Sequence, residues 1–407
     1  MIQNNKTSKF LNYAILLISV SSVLQWCELL IGNTFLWWLL DGLILIKFFV
    51  LTRGQERITP IFVFLLCVGV SFVYGVTWQA YTYWDWKLLV SNLMVFSLPL
   101  TVYVFLTPSI LGSVLHFWLG RAWIILLILA PFLASDAFGR FLMPYSFLAL
   151  FFTVLNTRNR IIIAIAYGIT ITLGNESRSD MLKFSVCLLL GFVYYIPIIR
   201  SIFKRWMKEI VYVLWVLPIV MLGLGVTGVF NVFNIEEELG LEGTYMIKSS
   251  NSGEDVSALT DTRTFLYSEE ITSAIKNNYV IQGRSMARGY DSLFFGDNDE
   301  SKRGERGKCE TSILNIFNYF GLIGVIIYFG IFVTASYKAI AHSKNVYVPI
   351  IGVYVAFRWL FGWIEDFSNF DLNYLFLWIM ISICYSDEYR NMTNQEFIGW
   401  IRQTTKI

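Results

Sequence analysis

Two kinds of side chain in this sequence stand at spacings that serve chemistry, a set of arginines and a pair of carboxylates. Arg284 and Arg288 are four residues apart in Gly283-Arg-Ser-Met-Ala-Arg-Gly-Tyr-Asp291, so one helical turn would put both on one face. A guanidinium stays charged in any environment, and its planar fork matches two oxygens of a phosphate. The pair are therefore candidate ligands for a phosphate or diphosphate, with Tyr290 in the same run. Arg263 and Arg178 are two more. Arg178 sits in the short polar turn Gly174-Asn-Glu-Ser-Arg-Ser-Asp180 between apolar runs, where an arginine must find an anion, a carbonyl or water. Taking a proton from an alcohol requires a base within hydrogen-bond reach. The only histidines, His116 and His342, fall toward the opposite ends of the apolar runs, so a carboxylate must serve: Glu310 first, Asp291 second. Each candidate also has an ordinary role. The loop arginines would pair with the loop's own acids, Arg178 with Glu176 or Asp180, and Arg263 with Glu269 or Glu270, while Glu310 would complement the positive end of the helix it precedes.

The elements that must position these residues follow from composition. Of 407 residues, 56% are hydrophobic, 17% aromatic and only 15% charged, with mean hydropathy +0.59. An ordinary soluble domain is about 25% charged. Lipid is therefore the expected solvent, which excludes a cytosolic enzyme, a disulfide-rich secreted domain and a disordered scaffold. Two histidines, five scattered cysteines and no Cys-x-x-Cys argue against a metal site, and no cofactor is expected. No basic domain points to nucleic acid.

A membrane span needs about 20 mostly apolar residues. Runs near 10–31, 35–52, 58–76, 87–107, 114–134, 138–156, 160–174, 181–200, 209–230, 311–337, 346–364 and 369–386 predict an all-α polytopic membrane protein with about twelve transmembrane helices. Boundaries near Pro108, Arg121 and Pro131 admit one long span or two short ones. The first run is read as a retained span, since its core is too long for a signal sequence and lacks a small-residue cleavage site. With the N-terminus inside, the inner segments collect most Lys and Arg, and the outer short loops only Lys87, Arg140, Arg178, Lys183 and Arg358. Both termini are therefore expected in the cytoplasm. The chain divides into nine spans over 1–230, a large extracytoplasmic loop with short helices over 231–309, three spans over 310–386 and a cytoplasmic tail over 387–407. From Asp261 the loop predicts a helix with Phe265, Leu266, Ile271 and Ile275 on one face. Gly283 to Lys308 reads as too polar for a core. Asp41 lies inside the second span with no partner evident, and Gly321-Leu-Ile-Gly324 reads as a close helix contact.

The order Ser177-Arg-Ser-Asp-Met-Leu after a span, Arg263 opening a helix, Gly283-Arg-Ser-Met-Ala-Arg-Gly-Tyr-Asp, and Glu310-Thr-Ser-Ile-Leu-Asn-Ile-Phe-Asn-Tyr-Phe-Gly-Leu-Ile-Gly resembles the O-antigen polymerase (Wzy) family, within the O-antigen polymerase and ligase superfamily. The likeness extends over the order of spans and the place of the loop, and its motifs are short and degenerate. It implies a C-type glycosyltransferase fold working without nucleotide sugar, metal or cofactor, on donor and acceptor glycans carried by undecaprenyl diphosphate at the periplasmic face of a bacterial inner membrane. A chain-length regulator and a flippase would be its partners, and membrane lipids its surroundings. Arg178, Arg263, Arg284 and Arg288 would hold the diphosphate. Glu310-Thr stands where ligases and many polymerases have a His-Asn pair, which favours a polymerase over a ligase. Two other classes compete. A lipid-linked oligosaccharide flippase or polysaccharide exporter would carry its charges within the bundle and have small loops, whereas here they concentrate outside it. A membrane acyltransferase would need a catalytic histidine.

Overall fold

The computed structural model describes residues 2–24, 27, 34–173, 178–193, 195–227, 246–248, 255–257, 263–292 and 303–406. The chain is mostly helical. In order, the helices are α1 (Ile2–Ser21), α2 (Thr34–Thr52), α3 (Thr59–Tyr74), α4 (Tyr83–Ser97), α5 (Thr101–Val104), α6 (Pro108–Leu129), α7 (Ser135–Phe141), α8 (Met143–Ala149), α9 (Thr157–Leu173), α10 (Arg178–Phe192) and α11 (Pro197–Val226). There follow α12 (Arg263–Lys276), α13 (Ser312–Ala341), α14 (Tyr347–Phe361), α15 (Leu372–Tyr385), α16 (Asp387–Asn391) and α17 (Asn394–Thr404). Two small antiparallel ladders join β1 (Met246–Lys248) to β2 (Asp255–Ser257) and β3 (Tyr290–Asp291) to β4 (Glu305–Arg306).

Among the described residues six helical stretches are long and apolar enough to cross a membrane: Thr34–Thr52, Thr59–Gln79, Tyr83–Val104, Pro108–Phe132, Pro197–Gly225 and Ser312–Ala341. Tyr347–Phe361 and Leu372–Tyr385 are shorter apolar helices. Their burial sorts them. Every residue of α15 is buried, as an all-round apolar helix requires, and α13, α14, α5 and α8 surround it. Peripheral helices instead turn large apolar side chains outward, such as Phe35 and Ile46 on α2, Val70 on α3 and Ile198 and Val213 on α11. In water such faces would drive association; lipid satisfies them.

Several boundaries differ from the sequence expectation, and those at prolines have a local cause. The first helix ends at Ser21 instead of continuing to 31. Pro108 opens α6, where its missing N–H costs nothing, and a 3₁₀ turn containing Pro131 closes it. Arg121 is therefore an exposed mid-helix residue, stacked 3.8 Å from the Phe117 ring, and not a loop charge. The run 138–156 is broken into α7, α8 and a 3₁₀ turn at Phe152–Val154, with Pro144 restarting the helix. The C-terminal segment is folded: Thr393 and Glu396 form a capping box on α17. Trp400 Nε1 donates to the Pro108 carbonyl at 2.9 Å, and Phe397 stacks on Tyr347.

Candidate functional site

The arginine segment is placed by α12 and by a break in α13. The buried residues of α12 include Leu266, Tyr267, Glu270, Ser273 and Ala274, so its inner stripe is partly polar. Of the expected apolar set only Leu266 is buried, and Ile275 is exposed. The helix lies on the rim of the bundle, where Tyr267 donates its hydroxyl to the Trp363 carbonyl at 2.7 Å.

Beyond α12 the chain docks against Gly321, whose φ of 65° and ψ of −166° interrupt α13. The N–H groups released there are taken by the loop: Leu322 donates to the Val280 carbonyl at 2.9 Å and Ile323 to that of Ile281 at 3.3 Å. A Cβ on Gly321 would stand 2.2 Å from the Ile281 oxygen, so glycine is required. Gly321 is thus the seat of the loop and not a contact between helices. Next, the Met286 carbonyl accepts from Asn92 Nδ2 at 2.9 Å, and its N–H donates to Ser71 Oγ at 3.2 Å. Ser285, Met286, Ala287 and Tyr290 are all buried. A stretch expected to be too polar for a core plugs the space between α3, α4 and α13, because its backbone polar groups find partners on those helices.

Arg284 and Arg288 do converge, though not on a helical turn. The chain curls through Ser285 at φ 106° and wraps both guanidinium groups around Glu305, which β4 sets opposite Asp291. Arg284 donates to Gly289 O at 2.9 Å, Asp291 Oδ1 at 2.8 Å and Glu305 Oε1 at 3.0 Å. Arg288 binds Glu305 through Nε at 2.9 Å and through Nη2, and reaches Gln79 with Nη1 at 3.4 Å. Arg303 forks onto both oxygens of Asp85 at 2.9 Å each. The loop arginines therefore bind the chain's own acids.

The carboxylates divide in the same way. Asp291 also accepts from Lys276 and Asn277 at 3.0 Å each. Against the cost of partial burial, Asn277, Arg284 and Lys276 hold its carboxyl down at about 2. Glu310 lies two residues ahead of α13 and is half exposed; its Oε1 accepts from Arg306 Nη2 at 2.8 Å. Arg306 also reaches the Tyr290 hydroxyl at 3.4 Å. Tyr290 is fully buried, so this phenol meets the surface through Arg306. Arg178 is exposed at the start of α10, and no hydrogen bond or ion pair joins it to the hairpin among the described residues. Arg263 opens α12, and its side chain lies outside the described residues, as does Glu176.

Three features went unread in the sequence. Glu270 is wholly buried, both carboxyl oxygens lack a hydrogen-bond partner, and burial drives it well above the usual carboxyl range despite the nearby Arg284 charge. Its one signal was its place among apolar residues on the inner face of α12. The second is a cavity of about 470 Å³ between α11 and α12, walled by Leu217, Met221 and Leu222 on one side and by Thr264, Ser268 and Thr272 on the other. The third is Arg358 on α14, counted above only as a loop charge. It is fully buried and donates from Nη1 to Asn373 Oδ1 at 2.9 Å. An arginine inside an apolar run was the available sign.

Among the described residues no group of three or more His, Cys, Asp or Glu side chains is arranged to hold a metal ion. The chain matches no protein-family model, no curated protein and no solved structure.

Proposed function

We propose that the chain is a membrane glycosyltransferase of the O-antigen polymerase type, joining oligosaccharide repeat units carried on undecaprenyl diphosphate. The observation that carries this reading is a juxtaposition. Helix α12 has the arginine hairpin at its C-terminal end, where Lys276 meets Asp291, and the 470 Å³ cleft along its other face. That arrangement offers cations to a diphosphate head and an apolar wall, faced by hydroxyls, to the rest of a lipid-linked sugar. In this reading α1, α2, α3, α4, α6, the α7–α8 pair, α9, α10, α11, α13, α14 and α15 are the twelve spans of a bacterial inner-membrane protein. Both termini lie in the cytoplasm and α12 with the hairpin at the periplasmic face.

The chemistry asks little of the protein beyond charge and one base. Arg284 and Arg288 would exchange part of their hold on Glu305 and Asp291 for oxygens of the departing diphosphate, stabilising charge that develops in the transition state. Asp291, held at about 2, is a weak base at neutral pH. Glu310 is better suited, being half exposed with Oε1 on Arg306. It would take the proton of the acceptor hydroxyl.

The test is the surface glycan ladder of a deletion strain complemented with variants that insert at normal levels. Arg288→Ala and Glu310→Gln are expected to leave single repeats on the core. Long chains in both would defeat the reading; absence of any repeat on the core, with long carrier-bound chains, would assign a ligase instead.

A further inference from the structure

A second set of charges lies away from the hairpin. On α10, Lys183 pairs with Asp180 at 2.5 Å. Arg140 on α7 lies 3.6 Å from Asp371, the residue that caps α15. Arg358 comes from the last turn of α14, with its guanidinium 4.4 Å from the Phe367 ring. Lys183, Asp180, Asp371 and Arg358 are all buried, and Lys183 is close enough for the Arg358 charge to act on it.

The guanidinium of Arg358 is only partly used. Nη1 is held by Asn373, whereas Nε and Nη2 have no hydrogen-bond partner. Those two nitrogens direct their N–H bonds in parallel along one edge of the group, the edge that takes two oxygens of one carboxylate or phosphate. Phe367 meets the group as a ring contact and supplies no acceptor to that edge, and the buried Tyr354 hydroxyl lies beside the guanidinium as a neutral group with no hydrogen bond of its own. Asp180 is bound to Lys183, and Asp371 accepts from the Tyr374 N–H at 2.8 Å through Oδ1 while its Oδ2, without a hydrogen bond, faces Arg140 at 3.6 Å. A buried guanidinium with its bidentate edge unpartnered is among the costliest arrangements in a protein, and more so within an apolar bundle. The hairpin differs, since Arg284, Arg288, Arg303 and Arg306 each meet a carboxylate.

We propose that Arg358, with Lys183 beside it, is the binding seat of a phosphate-class anion, either a lipid headgroup or a free pyrophosphate. The fold keeps the edge of Arg358 clear of its own acids so that two oxygens of one phosphate can dock there, with the Lys183 ammonium as a second cation. Lysine would not replace the arginine, because an ammonium has no parallel pair of donors. The inference stands whether or not the chain transfers sugars, since it concerns binding alone.

The test uses the full chain in phosphate-free maltoside micelles, with inorganic pyrophosphate and farnesyl diphosphate as probes, read by calorimetry and by thermal melting. Wild type is expected to bind and to melt at a higher temperature with either probe. Arg358→Met fills the same space without a charge. Without probe it is expected to melt at or above wild type, and with probe to bind at least tenfold more weakly. Should Arg358→Met not fold, Arg358→Lys carries the same tenfold criterion. Tighter binding of farnesyl diphosphate than of pyrophosphate identifies a lipid headgroup as the source, and equal binding a free anion. No thermal shift of wild type with either probe overturns the proposal, as does binding by the double variant Arg358→Met, Arg288→Ala equal to that of Arg288→Ala alone, a pair that leaves the hairpin out of the comparison. Loss of surface glycan with probe binding intact would bear on the glycosyl-transfer reading alone.

Discussion

The hairpin and the Arg358 region are both rich in cations, yet they solve the problem of charge in opposite ways. In the hairpin, Glu305 serves two arginines at once, Asp291 takes Arg284 and Lys276, and Asp85 takes Arg303. Its acids come from a ladder of two residues per strand and from the first turn of α4. Around Arg358, the side chains come from four helices, and one guanidinium edge remains without an acceptor. The first arrangement is a self-neutralised scaffold that a ligand enters by competing with carboxylates. The second holds its cation inside the bundle, and a ligand at the Arg358 edge displaces no carboxylate from it, although Lys183 beside it is already paired with Asp180. Arginine count alone therefore does not locate an anion site; what matters is which donors the fold has already used.

The comparison breaks most readily at Glu305. Glu305→Ala leaves the largely buried Arg288 guanidinium without its carboxylate and Arg284 with Asp291 alone, and is expected to destabilise the docked hairpin by about 3–5 kcal/mol. Limited proteolysis between α12 and α13 would report it, and unchanged protection would show that the arginines do not depend on that acid. Gly321→Ala is next. Its φ and ψ are open essentially to glycine alone and a Cβ would strike the Ile281 carbonyl, so a loss of about 1–3 kcal/mol is expected from strain. The hairpin should loosen while pyrophosphate binding at Arg358 persists; loss of both together would show that the two regions are one site.

Smaller effects come from titration. The carboxyl of Asp291 is held below its ordinary value of 3.8, so its contribution is present above that pH and fades as pH falls toward about 2. Hydrogen exchange of 279–292 should rise over that window in wild type and lack this step in Asp291→Asn. Glu270 has the opposite sign. Its carboxyl is raised in the folded state, so whatever stability it contributes is present below its ordinary value of 4.5 and is lost as pH increases. Glu270→Gln is expected to match wild type near about pH 4 and to melt higher near about pH 8; equal melting at both would mean that Glu270 is ionised and paired in solution.

Some of the site was legible before any coordinates, and the residues show why. The helix after Asp261 is a local signal, fixed by neighbours within a few turns, and it appears where the pattern predicts. The convergence of Arg284 and Arg288 was foreseen for a reason that does not hold, since no helical turn joins them. Glu305, which gathers them, carried no mark in the sequence, because a two-residue ladder has no periodicity to read.

Composition and apolar periodicity were enough to require a helical, membrane-embedded chain, since hydropathy is summed along the polymer and needs no knowledge of neighbours. They also placed the polar loop outside the apolar runs. Which charges neutralise one another is a matter of distance between residues as far apart as Asp85 and Arg303 or Arg140 and Asp371, and distance is set by packing. The break at Gly321 belongs with these: the same glycine reads as a helix contact along the chain and becomes the loop's docking point once Ile281 is brought against it, because a backbone clash exists only in three dimensions.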